Sequence, residues 1–305
     1  MKLAFFNDFT LGVVTGDRIV DVSAAVSDIP HLSPQDLING VIERFAQYRG
    51  AIQRAAEQGT GIELDSVRLR SPIPKPHNIV AMAVNYMEDG TRDEPAPINA
   101  FHKSPNSVIG HGDTVVLPDM PATIFEYEAE MALVISKHAS NVKAEDAYDY
   151  IFGYLNFFDV SARGVPAFYQ MKSRDTFAPM GPWLVTADEI PDAQALQIQS
   201  WSNGDLKQNF NTNDMAHQIP RIVEWVTAVH ALDPGDVIAT GTNHRGLTSM
   251  MDADVVELEI DGLGRLRLDV RDDLKRTWPR ETRLERAERG LEGPASQATG
   301  KYASS

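Results

Sequence analysis

The 305-residue chain contains no cysteine. Disulfides, thiolate zinc sites and a cysteine nucleophile are therefore excluded. Positive charge is scarce: 28 Lys and Arg stand against 43 Asp and Glu, a formal net charge of -15. That balance argues against nucleic acid and against anionic membrane surfaces as partners, because both reward clustered Lys and Arg. It leaves room for a small anionic substrate, which needs only a local positive site. No apolar run approaches the length of a transmembrane helix. Asp8 interrupts the apolar N-terminal stretch, so residues 1–14 make a poor signal peptide, and a cytoplasmic protein is expected. GxGxxG, Walker and HExxH motifs are all missing, and there is no internal repeat.

What is present is ordinary for a soluble globular protein, at 43% hydrophobic and 23% charged residues. Residues 1–70 read as a small α/β domain. Short strands at residues 3–6, 12–14 and 18–22 are punctuated by Thr15-Gly16-Asp17. Ser33 followed by Pro34 marks a helix start, and Leu37, Ile38, Val41, Ile42 and Phe45 follow at helical spacing. Ser71-Pro72-Ile73-Pro74-Lys75-Pro76 is a stiff, extended junction. Beyond it, residues 71–280 alternate short β runs with turn signals, including a hairpin turn at Asp261-Gly262-Leu263-Gly264. Helices are expected over about 144–154 and 215–231. Residues 281–305 turn charged and then rich in Gly, Ala and Ser, which predicts a short helix and a flexible tail. The predicted class is α+β.

One run stands out: Phe-Glu-Tyr-Glu-Ala-Glu-Met-Ala-Leu-Val-Ile, residues 125–135. Alternate side chains of a strand share a face, so Glu126, Glu128 and Glu130 lie together, roughly 6.5–7 Å apart. The continuous apolar end, residues 131–135, fits a strand covered on both faces. Three like charges in a partly dry place raise one another's pKa or demand a cation. A solvated face, pairing with Lys or Arg, and a shared divalent metal all remain open at this point. Downstream, Asp159 sits among Phe157, Phe158 and Val160 and needs a partner. Lys172-Ser173-Arg174-Asp175-Thr176-Phe177-Ala178-Pro179-Met180-Gly181-Pro182 and Thr240-Gly241-Thr242-Asn243-His244 complete the set.

Taken in order, Tyr-Glu-x-Glu before Met-Ala-Leu-Val-Ile, then Asp-Val-Ser-Ala-Arg, Lys-Ser-x-Asp-Thr-Phe-Ala-Pro-Met-Gly-Pro and Thr-Gly-Thr resemble the fumarylacetoacetate hydrolase family. Pro-Ile-Pro-Lys-Pro and Val-Asn-Tyr, at residues 72–76 and 84–86, match as well. The resemblance spans about residues 70–278. It implies a β-rich roll or distorted barrel after the small N-terminal domain, and usually a homodimer. It implies that Glu128, Glu130 and Asp159 bind a divalent cation, with Glu126 outside the ligand set. Magnesium is the usual ion, and an all-oxygen set also accepts manganese or calcium. Lys172 matches the lysine beside the metal, where it binds a carboxylate or stabilises an enolate. Tyr86, Arg163, Gly241 and Thr242 become candidates for binding a small anionic substrate, with backbone N–H groups at Gly241 and Thr242 suited to a carboxylate.

The resemblance implies hydrolysis of a carbon–carbon bond in a 2-oxo or 1,3-dicarbonyl acid such as an acylpyruvate. Decarboxylation, isomerisation or hydration on the same metal site are the alternatives, and a non-enzymatic binder of metal and oxo acid is a third. The pattern breaks at one place. Family members carry Asn-Tyr-x-x-His-x-x-Glu, with the histidine as base and the glutamate orienting it. Here Asp89 stands at the histidine position and Arg92 at the glutamate position. His244, Glu88, Asp89 and His102 are the candidate replacements, with His244 and Glu88 preferred, and residues 87–99 have the charge, Gly and Pro of a mobile lid.

Overall fold

The computed structural model describes residues 1–303. Its centre is a long antiparallel pair, Phe125–Ile135 and Ile151–Ala162, in unbroken register from Phe125 opposite Ala162 to Val134 opposite Gly153. Every residue of both strands is buried. These strands occupy the middle of a 12-stranded sheet, and a second sheet of 5 strands packs beside it. The two faces of Phe125–Ile135 serve different neighbours. Phe125, Tyr127, Ala129, Met131, Leu133 and Ile135 enter the larger core, together with Ile198, Val256, Leu258, Leu266 and Leu268 of the second sheet. Ala132 and Val134, on the opposite face, pack into a second core with Leu3, Phe5, Ile38 and Val41. The three glutamates continue that second face. It is apolar at one end and acidic at the other.

The N-terminal residues form the expected strands, Lys2–Phe6, Thr10–Thr15 and Arg18–Asp21, and the expected helix, Pro34–Glu43; Phe45 falls outside it and opens a second helix, Phe45–Gln58, that the sequence reading does not include. Ser33 caps the first helix by accepting from the Asp36 amide at 3.2 Å. These strands extend the large sheet, because Lys2–Phe6 pairs antiparallel with Ala178–Thr186, Leu3 opposite Leu184. The N-terminal unit and the β-rich region therefore share a sheet and a core. No helix among the described residues is long and apolar enough to cross a membrane.

Two expected helices are corrected. Residues 144–154 split into a 3-10 helix, Ala144–Tyr150, and the start of the strand Ile151–Ala162. Ile151, Phe152 and Tyr154 favour a strand. Gly153 requires close approach there, since a Cβ at that position would lie 2.1 Å from the Val185 carbonyl oxygen. The second helix is shorter than 215–231, running Ile219–Val229 with Pro220 in its first turn. The C-terminal segment, expected to be a flexible tail after a short helix, is mostly exposed beyond residue 288 but touches the body of the protein at several points. Thr282 and Glu285 form a capping box on the helix Arg283–Glu288. Thr277 pairs with Thr299, Ala295 is buried, and Lys301 bonds Asp119 at 2.8 Å. Composition misleads here because the charged residues find partners on the body of the protein. Residues 304–305 lie outside the described residues.

The shared core is testable. Leu3 is fully buried between the sheet and the N-terminal helices. Leu3→Ala should cost about 2–5 kcal/mol, read as a lower urea midpoint. Loss of the N-terminal unit alone, with the β-rich region melting unchanged, would contradict a single shared core.

Candidate metal and substrate site

Strand register assembles the acids. Glu128 lies directly opposite Asp159, and Glu130 is the next residue along the same face. Opposed side chains in an antiparallel pair have Cβ atoms about 4.5–5.5 Å apart, where like charges repel. One carboxylate oxygen from each of Glu128, Glu130 and Asp159 lies within 4.8 Å of the others, and all three residues are buried. Such a cluster is unstable in a dry interior unless positive charge neutralises it.

Part of that charge is in the chain. Lys172, the last residue of the short helix Phe168–Lys172, donates to Glu128 Oε2 at 2.8 Å and to Asp159 Oδ2 at 2.6 Å. Lys103, fully buried, donates to the other Asp159 oxygen and to the Val160 carbonyl. Arg163 bridges Glu126, at 2.8 Å from Nε, and Glu128 through its Nη2. Arg283 grips Glu126 with two bonds, at 3.0 and 2.5 Å. Glu126, Glu128 and Asp159 thus each touch two cationic groups.

Glu130 touches none. Its Oε2 accepts the Gly241 amide at 2.8 Å, and its Oε1 is buried with no hydrogen-bond partner among the described residues. Burial, then the charges of Asp159 and Glu128, push its pKa well above the ordinary carboxylate range. Glu128 moves the other way: burial opposes ionisation, but Lys172 and Arg163 outweigh it and hold the group well below its usual value. An ion-pair network accounts for Glu126, Glu128 and Asp159, and leaves Glu130 unexplained. A hard divalent cation shared by the three oxygen donors would satisfy it, so the residues fit such an ion.

Arg163 connects the acids to a cleft of about 610 Å³, lined by Val84, Glu88, Thr91, Arg92, Arg163, His244, Arg245, Arg283, Leu284 and Ala287. Here two separate loops meet. Glu88 accepts from the His244 backbone amide at 2.8 Å through one oxygen, and its other oxygen lies 2.7 Å from His244 Nδ1. Glu88 and Asp89 both have positive φ, 57° and 55°, so this stretch is a tight left-handed turn. The outcome is a histidine oriented by a glutamate, with its Nε2 left free of protein partners among the described residues.

A family model, Fumarylacetoacetate (FAA) hydrolase C-terminal, matches residues 78–271. The chain belongs to the fumarylacetoacetate hydrolase family. It is 32% identical over 287 residues to a maleylpyruvate hydrolase of Aquipseudomonas alcaligenes, covering 89% of this chain and 99% of that one. An oxaloacetate tautomerase of Bacillus subtilis is 33% identical over 296 residues, covering 87% and 98%. Among solved structures, maleylpyruvate hydrolase from Sphingobium sp. SYK-6, in complex with manganese(II) and pyruvate, superposes with a TM-score of 0.82 at 37% identity. That match covers 89% of this chain and 99% of the other.

Within this family member, the residues named from sequence fall into two groups. Glu128, Glu130, Asp159 and Lys172 converge as a cluster. Arg163 joins that cluster to the cleft, where Glu88 and His244 meet. Glu126 serves the arginines and stays out of the acid triad. Of the groups expected to hold a substrate carboxylate at Gly241 and Thr242, the Gly241 amide and the Thr242 hydroxyl have protein partners, and the Thr242 amide has none among the described residues. The Gly241 amide is committed to Glu130, and the buried Thr242 hydroxyl donates to the Ala129 carbonyl at 2.7 Å while accepting from Gln208 at 2.8 Å. They brace the acid strand. Tyr86 is also fully buried, packed edge-on against Phe210, with a hydroxyl that finds no partner. It supports the floor and does not line the cleft. Asp89 bonds Arg245 at 3.3 Å, and His102 stacks on His230 with ring centres 5.2 Å apart, outside the cleft lining.

Sequence reasoning missed Lys103 and Arg283. Lys103 had a faint signal, a lone lysine closing the lid segment beside an apolar strand. Arg283 had none, since it sits in what reads as a charged tail.

Glu130 generates a prediction. The folded chain holds its proton at pH values where an unfolded glutamate, with a pKa of about 4.3, has released it. Stability from this group is therefore lost as pH rises above the unfolded value, up to the raised folded one. In metal-free buffer at neutral pH, Glu130→Gln should be more stable than wild type by about 1 kcal/mol or more. The gap should shrink toward zero at pH 4. Thermal melts across that range would show a constant or reversed gap if Glu130 were fully neutralised by its neighbours.

Proposed function

We propose that the protein is a divalent-metal-dependent hydrolase that cleaves a carbon–carbon bond in a small 2-oxo acid of the acylpyruvate type. The observation that carries the proposal is the acid triad with one buried carboxylate oxygen unpartnered, joined through Arg163 to a cleft that holds a histidine–glutamate pair. Its family standing and its likeness to maleylpyruvate hydrolases over nearly their whole length support the same chemistry. Glu128, Glu130 and Asp159 would hold the cation, manganese or magnesium by their oxygen donors. When bound, it supplies Lewis-acid polarisation to a 2-oxo acid and draws off developing negative charge.

The chain's own residues do the rest. Lys172 sits at two of the three acids, so its ammonium is placed to hold negative charge on the substrate's carboxylate or departing enolate. Arg163, touching Glu128 and lining the cleft, holds the substrate's anionic end over the triad. Glu88 accepts the Nδ1 proton of His244, which leaves Nε2 as the basic nitrogen. Nε2 removes a proton from water as the oxygen bonds to the acyl carbonyl carbon. The bond between that carbon and the pyruvyl methylene then breaks. Its electron pair leaves as the enolate of pyruvate, and the proton on Nε2 passes to the methylene carbon. One water is consumed and a carboxylic acid and pyruvate are released, so atoms and charge balance.

The tautomerase relative supports a second use of the same pair: proton transfer between enol and keto forms, with no water added. Product identification separates them. An acylpyruvate incubated with the protein and manganese should release pyruvate, measured by a coupled dehydrogenase. Enol–keto exchange without pyruvate release would assign the isomerase activity instead. We extend the proposal to a homodimer, for which light scattering should give twice the 33.7 kDa chain mass.

Two sets of variants test the roles. Lys172→Met should lower kcat by at least about 10²-fold while the protein stays folded. His244→Asn and Glu88→Gln should each lower kcat/KM by about 10²–10⁴-fold, the usual worth of a positioned acid–base group. The double variant should be little worse than His244→Asn alone, because the two act as a unit. Additive losses would show that Glu88 does not work through His244. Manganese should raise the melting temperature of wild type and not of Glu128→Ala; equal rises would misplace the metal.

A further inference from the structure

The histidine–glutamate pair depends on a turn that the chain adopts at a cost. Glu88, Asp89 and Gly90 are three successive residues with positive φ, 57°, 55° and 75°. Left-handed backbone is unfavourable for a residue with a Cβ and is ordinarily met one residue at a time, so surrounding contacts must hold it. Within the turn, the Thr91 amide donates to the Glu88 carbonyl and the Arg92 amide to the Met87 carbonyl, both at 3.2 Å. Outside it, one residue takes the amides on either side of Glu88. The Met87 amide donates to the Asp214 carbonyl at 2.9 Å, and the Asp89 amide donates to Asp214 Oδ2 at 3.0 Å. Among the described residues, no other side chain accepts an amide of residues 87–92. Asp214 ends the 3-10 helix Thr212–Asp214, which follows the strand Asp205–Asn211 of the second sheet. The residues after it are fastened to the root of the turn. Met215 pairs with Tyr86, the Ala216 amide donates to the Asn85 carbonyl at 3.0 Å, and the His217 amide donates to Asn85 Oδ1 at 2.9 Å. Asn85 Nδ2 in turn donates to the Thr240 carbonyl at 2.9 Å, where the loop that carries His244 begins. Asp214 is therefore fixed to the same frame as His244. Its charge is not what the turn uses. Burial, opposed by the Asp89 amide and reinforced by the charges of Asp89 and Glu88, raises its pKa. An oxygen acceptor suffices at this position.

We propose that Asp214 is the positioning residue of the histidine–glutamate pair. It brackets Glu88, holds the left-handed turn and so aims the Glu88 carboxylate at His244 Nδ1. The proton of the neutral imidazole is thereby kept on Nδ1 and Nε2 is left basic, because the hydrogen bond made by one ring nitrogen decides the state of the other. The assignment deepens the proposed function and rests on it for the role of the pair in turnover. The orientation of His244 itself is measurable without turnover.

Long-range proton–nitrogen NMR of the magnesium-loaded protein reads which His244 nitrogen carries the proton, at a pH well above the ordinary histidine value of about 6.5. His244→Asn assigns the resonances. Wild type should show the Nδ1–H form. Asp214→Ala should move it toward the Nε2–H form that an unconstrained histidine favours in water, and kcat/KM for an acylpyruvate should fall about tenfold to a hundredfold, part of the worth of a positioned acid–base group. Asp214→Ser, which also withdraws the carboxylate oxygen, should behave in the same way. Asp214→Asn keeps an oxygen acceptor and removes a charge that its neighbours repel. It should recover the Nδ1–H form and bring kcat/KM to within about threefold of wild type. In a Glu88→Gln background, adding Asp214→Ala should cost no more than about threefold further, because the two act on one pair. Thermal melts check that each variant is folded. An Nε2–H form in wild type, an Nδ1–H form that persists in folded Asp214→Ala or Asp214→Ser, or losses that add in full to those of Glu88→Gln would each overturn the Asp214 assignment. A wild type that holds the Nδ1–H form but releases no pyruvate from an acylpyruvate would overturn the hydrolase proposal and leave the Asp214 assignment to the NMR result.

Discussion

The placement of Glu128 opposite Asp159, in a pair of strands buried along their whole length, is the constraint around which the rest is arranged. Opposed like charges in a dry sheet destabilise it, and nothing in the fold requires them there. Once they are present, cationic groups must arrive from elsewhere in the chain. Lys103 comes from the end of the lid segment, Lys172 from a short helix, Arg163 from just past the strand's end, and Arg283 from the C-terminal segment. Each lies far from Glu128 in sequence, so the acids act as the hub that ties remote segments to one point. Glu130 is the member left without a cationic partner, and that shortfall makes the cluster a binding site as well as a structural knot.

The platform beneath the site explains how such a cost is tolerated. One face of the strand Phe125–Ile135 changes character along its length, from three glutamates to Ala132 and Val134. The apolar end is clamped by Leu3, Phe5, Ile38 and Val41, and the opposite face is covered by the second sheet. Burying a Leu- or Phe-sized side chain contributes about 1.5–3 kcal/mol, and both cores contain many. The N-terminal unit is thus part of the foundation, joined by strand pairing at Leu3 and Leu184, and it packs on the apolar end of the acid-bearing face.

How much of this was legible in the sequence follows from range. Alternation is local, so the shared face of Glu126, Glu128 and Glu130 could be read directly, and motif order extended the reading to Asp159 and Lys172. The helix at Pro34–Glu43 was legible for the same reason, through its cap and its apolar spacing. Local signals failed where tertiary contact decided the matter. Residues 151–154 read as the end of a helix over about 144–154, yet Gly153 packs against the Val185 backbone and the segment is a strand. Gly241 and Thr242 form a loop that reads as an anion cradle, but Glu130 takes the Gly241 amide and Ala129 the Thr242 hydroxyl. Arg283 could not be found at all, because a charged stretch near the C-terminus looks the same whether its arginines face water or a buried glutamate 157 residues away.

The altered lid shows how a site can keep a function while losing its motif. A helical lid would set a base and its orienting acid one turn apart, as neighbours on one face. Here the chain takes positive φ at Glu88 and Asp89, which no helix accommodates, so a pair within one element is ruled out by the backbone. The turn instead aims the Glu88 carboxylate at the loop that follows Val237–Ala239, where it captures both the amide and the imidazole of His244. That loop is itself fixed to the acid strand by Gly241 on Glu130 and Thr242 on Ala129. The histidine is consequently referenced to the acids through the rigid sheet, and the glutamate alone comes from the lid. The pair is thus assembled from two elements, its basic half held by the sheet and its acid by the turn. The residues at the usual dyad positions take other partners under this arrangement, Asp89 with Arg245 and Arg92, in the cleft wall, with Glu88.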